Sequence, residues 1–241
     1  MSWNCPPPNW NCPAGRAIDR FLEAVSREAP DPDRRFTVFG SAVIQLRGDG
    51  EFMSGDADLI VGTDRRRLEE IALALGLSKA ENRARERFYL ELCGITAFRT
   101  TAAWHERTHR EVRHGIPVVI PHVRDVLIGK LHRHRPAGQA GLSAKDLRAF
   151  LRVRELTGHP TEEELLADLR LCPHAWQLPL SGVITDFRLN VEDLWPALYG
   201  HRLDITATIL RPLMQELEEL GYAGDSREFL EMVRALTPLR P

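Results

Sequence analysis

The spacing of apolar residues predicts alternating helices and strands through roughly the first 135 residues, followed by one further helix. Apolar positions recur at helical spacing in some segments, and shorter apolar runs between them are typical of strands. The predicted helices are residues 14–29, 41–47, 65–77, 124–133 and 144–156. The predicted strands are residues 36–39, 57–61, 88–93 and 116–120. This alternation favours an α/β or α+β fold.

The C-terminal part of the chain predicts helices almost alone. Thr161 and Glu164 have the spacing of a capping box, in which each side chain bonds the other residue's backbone N–H. Later helices are predicted over residues 191–199, 205–220 and 226–236, whereas residues 173–190 are ambiguous. We therefore divide the chain into a Pro-rich tail (1–13), an α/β core (14–142) and a helical region (143–241).

Charge is unevenly distributed along the chain. The 241 residues include 32 Lys and Arg against 34 Asp and Glu, a formal net charge of −2. Residues 161–241 hold 14 acidic and seven basic residues, so the first 160 carry a net +5. Residues 103–135 alone hold six Arg and one Lys against three acids. That basic segment is either a solvated face or a surface for polyanions such as nucleotide phosphates or RNA.

The sequence offers no membrane-spanning segment and no secretory signal. No apolar run approaches the roughly 20 residues that a membrane helix needs, and the N-terminus lacks a charged region followed by an apolar one. A cytoplasmic protein that makes no membrane contact is therefore expected.

Neither the cysteines nor the histidines have the spacing of a metal site. Cys5 and Cys12 lie in a repeated Trp-Asn-Cys-Pro motif without a Cys-x-x-Cys pair, so a loosely packed tail is favoured over a metal site. Cys93 and Cys172 stand among apolar residues, which predicts buried thiols. The six histidines of the basic segment match no compact ligand set, and we expect most of them at the surface.

Lysine is scarce, since 29 of the 32 basic residues are arginine. The lysines are Lys79, Lys130 and Lys145. A genome rich in G and C would produce this bias without any functional meaning. The two cations are nevertheless not interchangeable, because lysine presents a compact point charge. The three positions that keep lysine are therefore worth locating in the structure.

One short motif contains residues that are suited to bind phosphate and a metal ion. Gly40 and Ser41 follow a predicted strand and open a helix, a geometry in which backbone N–H groups approach a phosphate. Asp56 and Asp58 lie two residues apart on the next strand, so their carboxylates leave the same face. Two such carboxylates beside an anion-binding turn are suited to hold Mg²⁺ against a nucleoside triphosphate. As the alternative, two aspartates near a glycine-rich turn merely cap it.

The motif resembles the signature of the nucleotidyltransferase superfamily typified by DNA polymerase beta. That signature is a hydrophobic residue, Gly-Ser or Gly-Gly, a gap of about ten to fifteen residues and Asp-x-Asp; here these positions are Phe39, Gly40, Ser41, Asp56 and Asp58. Residues 36–46 and 55–61 look most like the small bacterial members that include the abortive-infection toxin type. The later stretches 116–121, 125–131 and 145–147 occur in the order found in such relatives, so the resemblance spans about residues 36–156.

The resemblance implies a minimal nucleotidyltransferase core with a short mixed sheet, and roles for two further residues. Catalytic relatives supply a third carboxylate from a later strand, and Glu91 is the candidate, although relatives usually have Asp. A salt-bridged glutamate at a sheet edge is the competing interpretation. Lys130 is implied to approach the triphosphate, against the alternative of a lysine at a helix surface. Lys145 and Asp146 are expected to pair locally or to cap their helix.

These observations lead to one main hypothesis and two alternatives. The main one is a Mg²⁺-dependent nucleotidyltransferase, with one or two ions, that moves a nucleoside monophosphate from an NTP to a hydroxyl of RNA or protein. Asp56, Asp58 and Glu91 would be catalytic and would bind the metal, while Gly40, Ser41 and Lys130 would bind the nucleotide. The alternatives are an inactive protein of this fold that docks a protein partner through its acidic helical region, toxin–antitoxin-like, and an RNA-binding module.

Overall fold

The computed structural model describes residues 3–52, 54–62, 64–94, 98–134, 141–172 and 181–212, together with 215 and 219. Eight α-helices are described in these ranges: α1 (Pro13–Glu28), α2 (Ser41–Arg47), α3 (Arg65–Ala74), α4 (Lys79–Asn82), α5 (Val123–Leu131), α6 (Ala144–Thr157), α7 (Glu162–Leu171) and α8 (Ser181–Tyr199). A π-helical turn follows at Thr206–Leu210. The strands are β1 (Phe36–Phe39), β2 (Asp56–Ile60), β3 (Tyr89–Cys93), β4 (His109–Arg113) and β5 (Ile116–Ile120).

The five strands form one mixed sheet in the order β3-β2-β1-β5-β4. β1 pairs antiparallel with β2 and parallel with β5, and β2 pairs parallel with β3. In this register Asp58 lies between Phe39 of β1 and Glu91 of β3. The sheet therefore aligns the residue before the Gly-Ser turn, the second aspartate of the motif and the candidate third carboxylate in one row.

Successive side chains of β2 and β3 alternate between the core face of the sheet and the opposite face, which carries the candidate site residues. Ala57, Leu59, Leu90 and Leu92 are buried in the core, and the residues between them leave the opposite face because successive side chains alternate. Asp56, Asp58, Tyr89 and Glu91, which are half-buried, lie on that opposite face. The core is continued by the predicted inner face of α1, where Ile18, Phe21, Leu22 and Val25 are buried. The mixed α/β class is thus confirmed.

Two elements depart from the sequence-based expectation. β4 was not predicted because its sequence, His-Arg-Glu-Val-Arg, has no apolar face, and even Val112 is exposed. It is an edge strand that is held by its antiparallel pairing with β5. α4 is a single turn too short for a periodic pattern, and it lies where the chain returns to β3 through a bridge between Ser78 and Leu90.

The N-terminal segment packs against the core, so the expectation of a loosely packed tail is wrong for residues 3–13. The Trp3 ring stacks on His159 at 5.4 Å and meets His122 edge-on at 5.0 Å. Arg47 of α2 donates hydrogen bonds to the carbonyl oxygens of Cys5 and Pro6. Cys12 is buried, and its thiol accepts from a backbone N–H as the N-cap of α1. The repeated Trp-Asn-Cys-Pro motif of this segment thus has a structural role.

The helical region packs on the α/β core. The Asn190 side chain of α8 donates a 2.9 Å hydrogen bond to the carbonyl of Leu131 at the end of α5, and Trp195 is fully buried. The capping box of Thr161 and Glu164 is confirmed. Residues 181–190 of the ambiguous stretch 173–190 belong to α8, while the helix predicted over 226–236 lies outside the described residues. Within the described part of the chain, no helix is long and apolar enough to cross a membrane.

Candidate active site

Three carboxylates converge on the sheet face opposite the core. Asp56, Asp58 and Glu91 each offer an oxygen atom, and these oxygens lie within 4.8 Å of one another. Register explains the convergence, because β2 and β3 run parallel with Asp58 opposite Glu91 and Asp56 opposite Tyr89. Among the described residues, no other group of three potential ligands is so arranged. The face taken by Glu91, which the sequence left open, is therefore that of the two aspartates.

Gly40 makes room for this cluster. Its backbone has a φ of +70°, a conformation that side chains rarely adopt, and a Cβ added there would lie 2.0 Å from an Asp58 carboxylate oxygen. A glycine at the end of β1 is thus required both by backbone conformation and by the approach of Asp58. Ser41 follows as the first residue of α2 and is buried.

Lys130 lies in the interior and not at a helix surface. Its side chain is 6% exposed, and its ammonium donates to the Ser41 hydroxyl at 2.9 Å and to the Asp146 carboxylate at 3.0 Å. The Lys130 ammonium lowers the pKa of Asp146 to about 2 against the opposing effect of burial, and the Ser143 hydroxyl contributes in the same direction. Lys130 therefore joins α5, α6 and the start of α2 behind the Gly-Ser turn.

The other two lysines contact the carboxylate cluster itself. Lys79 of α4 forms an ion pair with Glu91, and the Lys145 ammonium of α6 lies 3.7 Å from Asp56. The expectation that Lys145 and Asp146 pair locally or cap their helix is wrong for Lys145. Asp146 does take part in the cap, because it exchanges hydrogen bonds with Ser143, the N-cap of α6, and it also bonds Lys130 at longer range. Glu91 is salt-bridged on an edge strand, as the competing interpretation expects, and it also lies beside the aspartates, the position that a third carboxylate requires.

Crowding of the carboxylates has an electrostatic cost. Burial, reinforced by the negative charges of Asp56 and Glu91, raises the pKa of Asp58 to about 7. Burial and the same two charges also raise the pKa of Tyr89, whose hydroxyl lies 3.4 Å from Asp56. Tyr89 therefore remains a hydrogen-bond donor toward the cluster. A divalent cation among the three carboxylates would offset their mutual repulsion.

A small cavity of about 70 Å³ joins the aspartates to the Gly-Ser turn. Four cationic residues line it: Arg99, Lys130, Arg133 and Lys145. Phe39 and Phe98 form an apolar wall, with ring centroids 5.6 Å apart. The volume is several-fold below that of a complete small-molecule site, so the cavity is suited to a single anionic group such as a phosphate beside these cations.

The basic segment 103–135 has fewer charges available to an external ligand than its composition indicates. Arg107 pairs with Asp125, Arg113 with Asp19, and Arg124 with Asp168. These three arginines neutralise carboxylates of the same chain and leave less charge for an external polyanion. Four of the six histidines of this segment are exposed or half-buried, as expected for most of them. His122 and His132 are buried, and burial lowers the pKa of each to about 4.

Comparison with known proteins gives no match. No family model fits the chain, and no curated protein or solved structure is similar to it. The similarity to nucleotidyltransferases therefore rests on the sequence motif alone, and the function is inferred below from the geometry of the site.

Sequence reasoning did not assign Lys79, Arg99, Arg133 and Lys145 to this site. Their contacts join residues far apart in the chain, such as Lys145 with Asp56, and no local pattern encodes them. The scarcity of lysine was the available signal, because all three lysines lie at or directly behind the carboxylate cluster.

Of the predicted thiols, Cys172 is buried as expected, whereas Cys93 is half-buried.

Proposed function

We propose that the protein is a Mg²⁺-dependent nucleotidyltransferase that transfers a nucleoside monophosphate from an NTP to a hydroxyl group and releases pyrophosphate. The observation that carries the proposal is the convergence of Asp56, Asp58 and Glu91 directly beside Gly40 and Ser41. Such a site combines the oxygen ligands that magnesium prefers with a place for phosphates.

The residues present suit a magnesium ion. All three ligands are hard carboxylate oxygens, and the absence of a side chain at Gly40 preserves the space that Asp58 occupies. One ion, or two close together, would be held by Asp56, Asp58 and Glu91. A bound Mg²⁺ supplies charge neutralisation for the triphosphate and orients the reacting oxygens for in-line displacement.

The chain itself would bind and orient the two substrates. Lys130 and Arg133 line the small cavity and carry positive charge toward a triphosphate. Ser41, held by the Lys130 ammonium, fixes the turn against which the phosphates would lie. Phe39 and Phe98 would exclude water from one side of the nucleotide. Glu91 lies on the far side of Asp58 from that cavity, where it would accept the proton of the attacking hydroxyl.

The test is transfer of label from α-labelled NTPs, with each of the four NTPs and with RNA and protein acceptors in the presence of Mg²⁺. Asp56→Asn/Asp58→Asn should abolish transfer, because both metal ligands lose their charge while side-chain size is kept. Asp64→Asn, at an exposed aspartate outside the cluster, is the matched control and should retain activity. Transfer that survives in the double variant would exclude this function.

The contacts of Lys79 and Lys145 support a second candidate function, that of an inactive binding protein of this fold. The ion pair of Lys79 with Glu91 and the approach of Lys145 to Asp56 place two ammonium groups against the cluster. In an inactive protein of this fold, such groups would replace the metal permanently, and the acidic helical region would bind a protein partner. Calorimetric titration with Mg²⁺ and Mn²⁺ separates the candidates, since only the enzyme requires binding at the three carboxylates.

A further inference from the structure

The hydroxyl group of Tyr89 lies at the carboxylate cluster. Tyr89 pairs with Asp56 across β2 and β3, and its side chain leaves the same face of the sheet as that of Glu91, two residues later on the strand. The phenolic oxygen lies 3.4 Å from an Asp56 carboxylate oxygen, to which the hydroxyl donates a hydrogen bond. The protein thus presents, on its own edge strand, a nucleophile of the class that the proposed function requires.

Two other hydroxyl groups lie near the aspartates, but each is buried and engaged elsewhere. The hydroxyl of Ser41 accepts a hydrogen bond from the Lys130 ammonium. The hydroxyl of Ser54 lies 2.6 Å from the backbone carbonyl oxygen of Asp56 and 3.4 Å from its carboxylate, so it donates to the carbonyl. Tyr89 is only half-buried, and its hydroxyl donates to the carboxylate. Of these three hydroxyls, that of Tyr89 is therefore the one that is both accessible and directed at the cluster.

Tyr89 also lies on the side of the aspartates from which an acceptor hydroxyl must approach. The small cavity is lined by the Gly-Ser turn and by both aspartates, whereas Tyr89 lies outside this lining. Across the sheet, β1 with the turn comes first, then β2 with the aspartates, then β3 with Tyr89. In-line displacement needs the attacking and the leaving oxygen on opposite sides of the phosphorus. With the leaving phosphates toward the small cavity, the phenol would attack from the side of β3.

We propose that Tyr89 is a site of self-nucleotidylation, at which the protein transfers a nucleoside monophosphate to its own phenolic hydroxyl. The inference rests on the proposed function and names one acceptor for it. The Tyr89 oxygen forms a bond to the α-phosphorus of a bound NTP, the bond from this phosphorus to the β-phosphate breaks, and pyrophosphate leaves. The phenolic proton passes to Asp56, which the hydroxyl already contacts, and then to water. The product is an aryl phosphodiester on β3.

The modification would close the site to other acceptors. Strand pairing holds the Tyr89 hydroxyl at Asp56, so the reaction needs no acceptor-binding step and gains from the high effective concentration of an oriented group. The attached nucleotide would stay beside Asp56 and Glu91 and occupy the side from which a second hydroxyl approaches. Self-nucleotidylation would therefore limit transfer to external acceptors.

Incubation of the purified full chain with α-labelled NTPs and Mg²⁺, without any added acceptor, tests the proposal. A nucleoside monophosphate should remain covalently bound after denaturation, and tandem mass spectrometry of the wild-type chain should locate it on Tyr89. Tyr89→Phe should incorporate no label, because the ring is kept and the nucleophile is removed. Tyr199→Phe is the matched control, since it removes a hydroxyl that bonds the Pro160 carbonyl in the helical region, and it should be labelled as wild type is.

Reaction within one molecule is distinguished from reaction between molecules by two measurements. The half-time of labelling should stay constant when the protein concentration is varied. Tagged Asp56→Asn/Asp58→Asn, which keeps Tyr89 but lacks the aspartate charges, should stay unlabelled when it is mixed with wild type. Labelling of this variant by wild type, or a half-time that shortens with protein concentration, would overturn the proposal.

The remaining outcomes separate this proposal from the proposed function. Transfer to added RNA or protein without label on the chain would overturn self-nucleotidylation and leave the proposed function intact, as would label that maps to another residue or persists in Tyr89→Phe. Undiminished transfer to added acceptors by chains labelled at Tyr89 would overturn the closure of the site. Absence of label from the chain and from every added acceptor would count against the proposed function, and against self-nucleotidylation with it.

Discussion

Substitution of Gly40 by alanine tests the geometry of the carboxylate cluster most directly. The backbone there has φ +70° and ψ −160°, a region that is essentially reserved for glycine, so alanine costs about 1–3 kcal/mol in folding free energy. The new Cβ would lie 2.0 Å from the Asp58 carboxylate, which must retreat by about 1 Å to reach even a tight contact of 3.0 Å. Asp58 would then no longer converge with Asp56 and Glu91.

Two measurements separate the effects of strain and displacement. Urea unfolding reports the loss of stability, and electron paramagnetic resonance with Mn²⁺ in place of Mg²⁺ reports metal affinity. We expect Gly40→Ala to lower that affinity roughly 10- to 100-fold, the range found when groups that orient metal ligands are changed.

Gly76→Ala is the matched control for this substitution. Gly76 also has a positive φ, of +69°, but no atom lies within 4 Å of its added Cβ. This variant should lose about 1–2 kcal/mol of stability and bind Mn²⁺ as wild type does. Wild-type metal affinity in Gly40→Ala, or no Mn²⁺ binding in the unmodified protein, would refute the reasoning.

Two further predictions concern buried ionisable groups. Lys130→Met should destabilise the fold by about 3–5 kcal/mol in urea unfolding, because Asp146 loses its main buried partner, and adding Asp146→Asn should recover part of this loss. Burial holds the pKa of His132 at about 4, whereas an unfolded histidine titrates near 6.5, so the unfolded chain binds more protons between these values. His132 alone should therefore contribute a loss of about 3 kcal/mol as the pH drops from 6.5 to 4. The stability difference between wild type and His132→Gln should shrink by this amount over that range, because the contributions of His122 and Asp58 are common to both proteins. A difference that stays constant with pH would contradict the assignment.

The sequence was most informative where local pattern and fold agree. The four predicted strands and the five helices predicted between residues 14 and 156 all form, because each has an apolar face of the right period. Gly40, Asp56 and Asp58 were identifiable as candidates because the glycine stands between a predicted strand and a helix and the two aspartates begin the next strand. β4 was missed because its pairing with β5, and not its own side chains, makes it a strand.

The convergence of the three carboxylates could not be predicted from local sequence patterns. Whether Glu91 joins the aspartates depends on which strand β3 pairs with and in which register, and both are properties of the assembled sheet. The same holds for Lys130, whose burial follows from the packing of α5 against α2 and α6. Composition misled for the basic segment 103–135, because ion pairs such as Arg107 with Asp125 consume charges that look free in the sequence.

The positions of the three lysines connect the composition to the chemistry. Bias toward arginine throughout the chain would not by itself concentrate every lysine at one place, yet Lys79 and Lys145 contact the carboxylate cluster and Lys130 supports the adjacent turn. An ammonium is a compact charge that can leave one partner for another, whereas a guanidinium forms a fixed two-pronged contact. Under the proposed function, lysine is therefore the cation suited to neutralise these carboxylates in the free protein and to give them up to a metal ion.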